Sequence, residues 1–303
     1  MTRFRLGTRG SPLALTQARM VRAALCTAHG WAEEAVEIVI IKTTGDMVQD
    51  RALAEIGGKA LWTKELDRAL LSGDIDCAVH SMKDVETIRP AEIAIAAMLP
   101  RADVRDRLIG APSLADLREG AVVGTSSPRR SAQLQRLRPD IRLVLLRGNV
   151  DTRFAKVASG EIDATLLAAA GLDRLGRGDV GSAISVDVML PAPAQGAVGI
   201  EALIGSKAEA DIAAIGDGPT MACVRAERAL LAALSADCHS PMAALATMAD
   251  GVITLRGELF SSDGHEQVAG SAAGTPDNTG FAAALAAELL ARAPAKVRDH
   301  FGK

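Results

Sequence analysis

The segments LLSGDIDCAVHS (residues 70–81) and VASGEIDATLLA (residues 157–168) follow one design. In each, a helical pattern stops at a Ser-Gly pair, where glycine can supply the left-handed residue that ends a helix, and an Ile-Asp step then enters an apolar strand. A second echo lies upstream of each. FRLGTRGSPLALTQARMV (4–21) and VVGTSSPRRSAQL (122–134) both run from an apolar strand through Gly-Thr to Ser-Pro and into a helix. A further strand sits between the paired signals, VEIVIIKTTGD (36–46) in the first copy and IRLVLLRGNVD (141–151) in the second.

Strands that are apolar throughout, alternating with helices, predict parallel α/β lobes, whose ligands bind at the carboxyl ends of the strands. Two similar lobes predict a cleft between them. The first copy is the longer, and much of the excess is TTGDMVQDRALAEIGGKALW (43–62). Its Gly57-Gly58 pair is a possible hinge for a flap. Beyond a helical stretch, MACVRAERALLAAL (221–234), the pattern changes to short strands with Asp250-Gly251 and Asp263-Gly264 turn signals, closed by a helix at TGFAAALAAELLARA (279–293). This predicts a small α+β domain from about residue 219, built on an antiparallel sheet.

The chain has 303 residues, 49% of them hydrophobic, enough for two or three folded domains. A net charge of -3 with five Phe, two Trp and no Tyr gives neither a basic surface nor stacking platforms, which argues against a nucleic-acid partner. The start MTRFRLGTRG lacks the apolar core of a signal peptide, and charges interrupt the alanine-rich stretches, so the expectation is a cytoplasmic protein with no membrane span. Cys26, Cys77, Cys223 and Cys238 show no CxxC spacing, so no metal site and no disulfide framework is expected.

Ser127 as N-cap and Pro128 in the first turn would open a helix whose free N–H groups cradle an anion. Arg129 and Arg130 go against the dipole preference there, which suits a ligand better than the helix, though an ordinary solvated helix start remains an alternative. Arg9, Lys83, Arg147, Arg153 and Arg174 also follow apolar strands or open helices. Converging on one cleft, such cations would hold a small polyanion bearing carboxylates or phosphates. Asp84 is the lone acid among them. Spacing alone favours a capping box between Ser81 and Asp84, against a carboxylate that stabilises a cation or moves a proton. Cys238 is the one cysteine in a loop.

These stretches resemble the porphobilinogen deaminase family through nearly the whole chain, at GTRGSPLALTQA, GGKALWTKELDRALLSGDIDCAVHSMKDV, GTSSPRRSAQL, LRGNVDTR, AAAGLDRLG, PAPAQGAVGIE and DCHSP. The resemblance implies two similar lobes like those of type 2 periplasmic binding proteins (1–98 with 198–217, and 103–192), the chain returning to the first lobe before a C-terminal domain (219–303). It implies a transferase that condenses four porphobilinogen molecules head to tail, with loss of ammonia, into the linear tetrapyrrole hydroxymethylbilane. It further implies a dipyrromethane cofactor joined to Cys238 through a thioether, and Asp84 as the catalytic residue. Carboxylates of cofactor and growing chain would fall to Arg9, Ser11, Ser81, Lys83, Thr125, Ser126, Ser127, Arg129, Arg130, Arg147, Arg153, Arg174 and Gln195. Asp46, Lys59 and Trp62 would belong to the flap, and the protein would act as a monomer. Glu55, Glu86, Val104 and Ala194 depart from the commonest family pattern, Glu86 and Val104 standing where proline is usual and Ala194 where glycine is. The rival readings are a non-catalytic polycarboxylate-binding protein and a transferase using Cys238 as nucleophile.

Overall fold

The computed structural model describes residues 3–43 and 63–302. The chain divides into two compact units, residues 1–102 with 196–221, and residues 103–195 with 222–303. In the first unit, β1 (Phe4–Thr8) leads into α1 (Pro12–His29), followed by β2 (Val36–Ile40), α2 (Lys64–Leu71), β3 (Cys77–Ser81) and β4 (Ile93–Met98). The second unit opens with β5 (Asp106–Ile109), β6 (Val122–Thr125), α3 (Pro128–Leu137), β7 (Arg142–Leu145), α4 (Val150–Ala158), β8 (Ala164–Ala168), α5 (Ala169–Arg174) and β9 (Ser182–Ala183). The chain then contributes β10 (Val198–Leu203) and α6 (Lys207–Ala213) to the first unit.

The two sheets have one plan. Their strand orders are β2-β1-β3-β10-β4 and β7-β6-β8-β5-β9. The first three strands of each are parallel, as the sequence predicts. The fourth runs antiparallel to both its neighbours, β10 in one sheet and β5 in the other. The expectation of purely parallel lobes is corrected at this strand: β5 and β10 each begin where the chain arrives from the other unit, so neither is bound by the crossover rule that keeps βαβ strands parallel.

The sequence echoes now have a physical cause. Gly73 and Gly160 adopt left-handed φ of 71° and 74°, ending α2 and α4. Ile75 then packs on Gly7 of β1 and Ile162 on Gly124 of β6, so closely that a Cβ on Gly124 would stand 2.9 Å from the Ile162 side chain and one on Gly7 would collide with Ile75. The acid next in line pins the same strand. Asp76 accepts from the Arg5 N–H and Asp163 from the Val122 N–H, both at 2.6 Å, while each acid's own N–H returns a bond to the carbonyl of Arg5 or Val122 at 2.8 Å. Ser-Gly-x-Ile-Asp and Gly-Thr are therefore the two halves of one joint between a helix end and a strand.

α1 carries Ala18, Val21 and Leu25 at helical spacing onto Leu6, Val79 and Ile200 of the first sheet. Leu108, Val123, Leu134 and Leu166 form the core of the second lobe. The tail holds α7 (Gly218–Ala233), the expected antiparallel sheet of β11 (Met242–Ala249), β12 (Val252–Phe260) and β13 (Gln267–Gly274), then α8 (Gly280–Arg292) and α9 (Ala295–Arg298). Asp250 and Gly251, at φ 50° and 75°, make the first hairpin turn. This sheet buries Leu255 and Leu259 against Leu230, Leu285 and Leu289, and a second apolar cluster joins its Ala243, Leu245 and Phe260 to Ala132 and Leu190 of the second lobe.

Candidate active site

In the first unit an open cavity is lined by Arg9, Ser11, Gln17, His80, Ser81 and Asp84 among others. Local sequence builds each wall. Ser11 caps α1, its Oγ accepting from the Ala14 N–H at 3.3 Å, with Pro12 in the first turn. β3 ends at Ser81 and continues as a single 3₁₀ turn, Met82–Asp84. Met82 anchors that turn, because it is buried against Gly199, where a Cβ would collide with its sulfur, and its N–H donates to the Ala197 carbonyl at 3.1 Å. Lys83 and Asp84 are left half-buried.

The capping box favoured by spacing is not formed. The Ser81 hydroxyl makes no cap bond and is instead bonded to the Gln17 side chain, whose Nε2 donates to it at 2.8 Å. A three-residue 3₁₀ turn also has too few free N–H groups to need the box. Among the described residues the Asp84 carboxylate has no hydrogen-bond partner, and it stands on the cavity wall.

In the second unit, Ser127 caps α3 as its sequence predicts, accepting from the Arg130 N–H at 3.4 Å, while Thr125 Oγ1 accepts from the Ser127 N–H at 3.2 Å. Ser126 and Ser127 are half-buried and Thr125 is buried. Arg129 and Arg130 point inward, 3% and 7% exposed, and share one fully buried acid, Asp106. Arg129 Nη2 lies 2.8 Å from Asp106 Oδ2, and Arg130 Nη2 donates to Oδ1 at 2.7 Å. Arg129 Nη1 also donates to Gln133 Oε1 and to the Leu190 carbonyl, at 2.9 and 3.1 Å, so protein acceptors face both terminal nitrogens of this guanidinium. Arg130 has fewer: its Nη1 donates to the Leu166 carbonyl at 2.9 Å. Gln195 Nε2 donates to Asp106 Oδ1 at 3.0 Å and to the Val104 carbonyl at 2.7 Å. Burial alone would push the Asp106 carboxyl up, but the two guanidiniums reverse this and hold it well below the usual range.

Burial acts on the remaining arginines as well. Burial and the neighbouring Arg130 charge bring Arg153 down to about 10, and its Nε donates only to the Gly148 carbonyl, at 3.0 Å. Burial also lowers Arg174. Arg147 has a terminal nitrogen, Nη1, buried with no acceptor among the described residues. Asp106, with Glu258 also facing Arg129, does not match the charge of Arg129, Arg130 and Arg153 together, so this donor set fits a ligand rich in carboxylates.

Cys238 is exposed in the loop between α7 and β11. The loop is held in an Asx turn, with Asp237 Oδ1 accepting from the His239 N–H at 2.8 Å and Ser240 Oγ from the Asp237 N–H at 3.0 Å. Asp46, Lys59 and Trp62 lie outside the described residues, as do Glu55 and the Gly57-Gly58 pair.

Sequence reasoning missed two buried acids that organise these sites, Asp106 and Glu201. Each carries a signal in hindsight, Glu201 as a charge inside the apolar run VGIEAL and Asp106 as an acid opening a buried strand.

The amino-acid sequence matches the dipyrromethane cofactor binding domain of porphobilinogen deaminase over residues 4–210 and the C-terminal domain of the same enzyme over residues 221–291. The chain belongs to the porphobilinogen deaminase family. Its relatives include the porphobilinogen deaminases of Sphingopyxis alaskensis, 57% identical across 98% of this chain and 96% of that one, and of Paracoccus denitrificans, 49% identical at the same coverage. Among solved structures, the periplasmic VFT2 domain of Bordetella pertussis BvgS is 16% identical, covering 71% of this chain and 86% of that one at a TM-score of 0.36. The chain is thus a transferase of porphyrin and heme biosynthesis that builds a tetrapyrrole with a dipyrromethane cofactor.

Proposed function

We propose that Asp84 is the catalytic carboxylate of this deaminase, that Cys238 carries the dipyrromethane through a thioether, and that the arginines of the second unit hold pyrrole carboxylates. The observation that carries the reading is Asp84 itself: a half-buried acid without a described partner, on the wall of a cavity that also presents Arg9 and the capped start of α1. The bound dipyrromethane supplies the pyrrole end from which the chain grows. When porphobilinogen loses its aminomethyl nitrogen as ammonia, the C–N bond breaks and a cation remains on the pyrrole. A fixed carboxylate beside that pyrrole N–H stabilises the charge as it develops. The new C–C bond leaves one proton to be lost from the attacked carbon, and Asp84 would assist its removal.

Arg9 and Ser11, at the N-terminal end of α1, would bind a carboxylate arm, with Ser81 and Lys83 beside them. In the second unit Arg130, Arg147, Arg153 and Arg174, with the turn Thr125 to Ser127, would bind further arms. Arg129 and Gln195 would serve that set through Asp106. The reading extends to porphobilinogen as substrate, a monomer, a cytoplasmic location, and no nucleic-acid or membrane partner. It is supported by the net charge of -3 and the scarcity of aromatics; no described helix is long and apolar enough to cross a membrane.

Intact mass tests the cofactor assignment. The purified protein should carry the added mass of two pyrrole units, and Cys238→Ser should carry none. A catalytically active but unmodified protein would reject it. Asp84→Asn, which keeps the side-chain volume, should retain the cofactor and melt close to wild type while turnover falls by roughly two or more powers of ten. Near-normal turnover would remove Asp84 from the mechanism.

A further inference from the structure

Beside the Asp84 cavity lies a buried ion network whose hub is Arg89, in the segment joining the Asp84 turn to β4. Arg89 Nε donates to Glu201 Oε1 at 2.7 Å and Nη2 to Glu201 Oε2 at 2.8 Å, a bidentate pair with a fully buried carboxylate on β10. Nη2 also donates to Asp67 Oδ1 of α2 at 2.5 Å. Nη1 donates to Glu86 Oε2 at 2.7 Å and to Thr63 Oγ1 at 3.4 Å. Thr63 Oγ1, at the start of α2, in turn donates to Glu86 at 2.6 Å. All the N–H groups of a guanidinium are used, on partners from the loop, α2 and β10.

Stability alone gives a weak account of such a cluster. Buried ion pairs often do no better than apolar residues of the same volume, because desolvation offsets the attraction; what they fix firmly is geometry. Burial disfavours the Arg89 charge, yet Glu201 and Asp67 more than reverse it, so the hub stays charged. The geometry it fixes is that of the catalytic wall. Arg89 and Glu86 hold the chain that leaves Asp84, and Glu201 also lies 3.1 Å from His80 Nε2, on the strand that enters the Asp84 turn and lines the cavity. Glu86, two residues past Asp84, is thus tied into an ionic brace.

We propose that Arg89 is a positioning residue for the Asp84 reaction, clamping the segment that leaves the catalytic turn to α2 and β10. The proposal rests on Asp84 being the catalytic carboxylate. It is tested on cofactor-loaded protein with Arg89→Met and with Arg89→Met combined with Glu201→Gln. The single variant strands buried carboxylates and should lose thermal stability; the pair leaves Glu201 uncharged and should regain most of the loss. In both, kcat should stay at least tenfold below wild type, KM for porphobilinogen should hold within about threefold, intact mass should still show the cofactor, and amide exchange across residues 85–92 should quicken. Arg89→Lys, which keeps the charge but not the fork, should lower kcat in the same way and covers the case in which the double variant does not fold. A double variant that recovers both melting temperature and kcat, or exchange at residues 85–92 unchanged in all three variants, overturns the proposal. Asp84→Asn separates the two levels: if it turns over normally, the catalytic assignment and this proposal fall together, and if it is inactive while the Arg89 variants are fast, the positioning role alone falls.

Discussion

Replacing Asp106 by Asn tests the largest electrostatic commitment in the second unit. The substitution keeps volume but removes the acid that faces both Arg129 and Arg130, and its amide turns a donor toward a guanidinium that is itself all donor. Removing one partner of a buried ion pair costs about 3–5 kcal/mol. The lower end applies, because Arg129 keeps Gln133 and the Leu190 carbonyl and Arg130 keeps the Leu166 carbonyl. With an unfolding entropy of about 2.1 cal/mol/K per residue, a loss of about 3 kcal/mol over a chain of 303 residues lowers the melting temperature by about 5 °C. Scanning calorimetry reads this directly, and intact mass reads the second effect: an Arg130 no longer held at a fixed angle should load less cofactor. A melting temperature within about 1 °C of wild type would refute the reasoning, since it would mean that the triad contributes no net stability.

Ala194 adopts a left-handed φ of 60°, its N–H held by Glu227 Oε2 at 2.5 Å. Ala194→Gly should therefore raise stability by about 0.5–1 kcal/mol as backbone strain is relieved, measured by urea midpoint. Arg147→Leu should purify largely without cofactor by intact mass while folding normally, because its buried Nη1 has no described acceptor to lose. Acid should also weaken the fold. Burial pushes the Glu201 carboxyl up, but facing His80 and Arg89 carry it down to about 2, and Asp106 is likewise depressed. Depressed carboxyl pKa values give stability that is complete above the unfolded values near pH 4 and is lost as pH falls toward 2. Asp67, raised by burial, opposes this in part. Urea midpoints from pH 7 to 3 should fall, and fall less steeply in Asp106→Asn; a flat profile would contradict the argument.

The repeated joint and both Ser-Pro helix starts were legible because each depends on local rules, an αL glycine after a helix and a hydroxyl before one. The tail hairpin was legible from Asp250-Gly251 for the same reason. The antiparallel strand in each lobe was not, since β10 reads as any other apolar run and its direction is set by where the chain has been. The Ser81 cap failed for a related cause: its hydroxyl found Gln17, 64 positions away, before a local N–H. Arg129 and Arg130 read as one basic pair, yet Asp106 divides their labour, and nothing between residues 106 and 129 announces that contact. Long-range partners of buried charge lie outside what spacing encodes.

The insertion of β10 between β3 and β4 also sets an order of events. β4 pairs with β10 and with no other described strand, and β10 lies beyond the whole of the second sheet in the chain. Synthesis proceeds from the N-terminus, so the second lobe, contiguous from β5 to β9, can close on the ribosome while β4 still waits for its partner. The lobe made first is thus the lobe completed last, and until residues 198–203 emerge an apolar strand edge is open to mispairing.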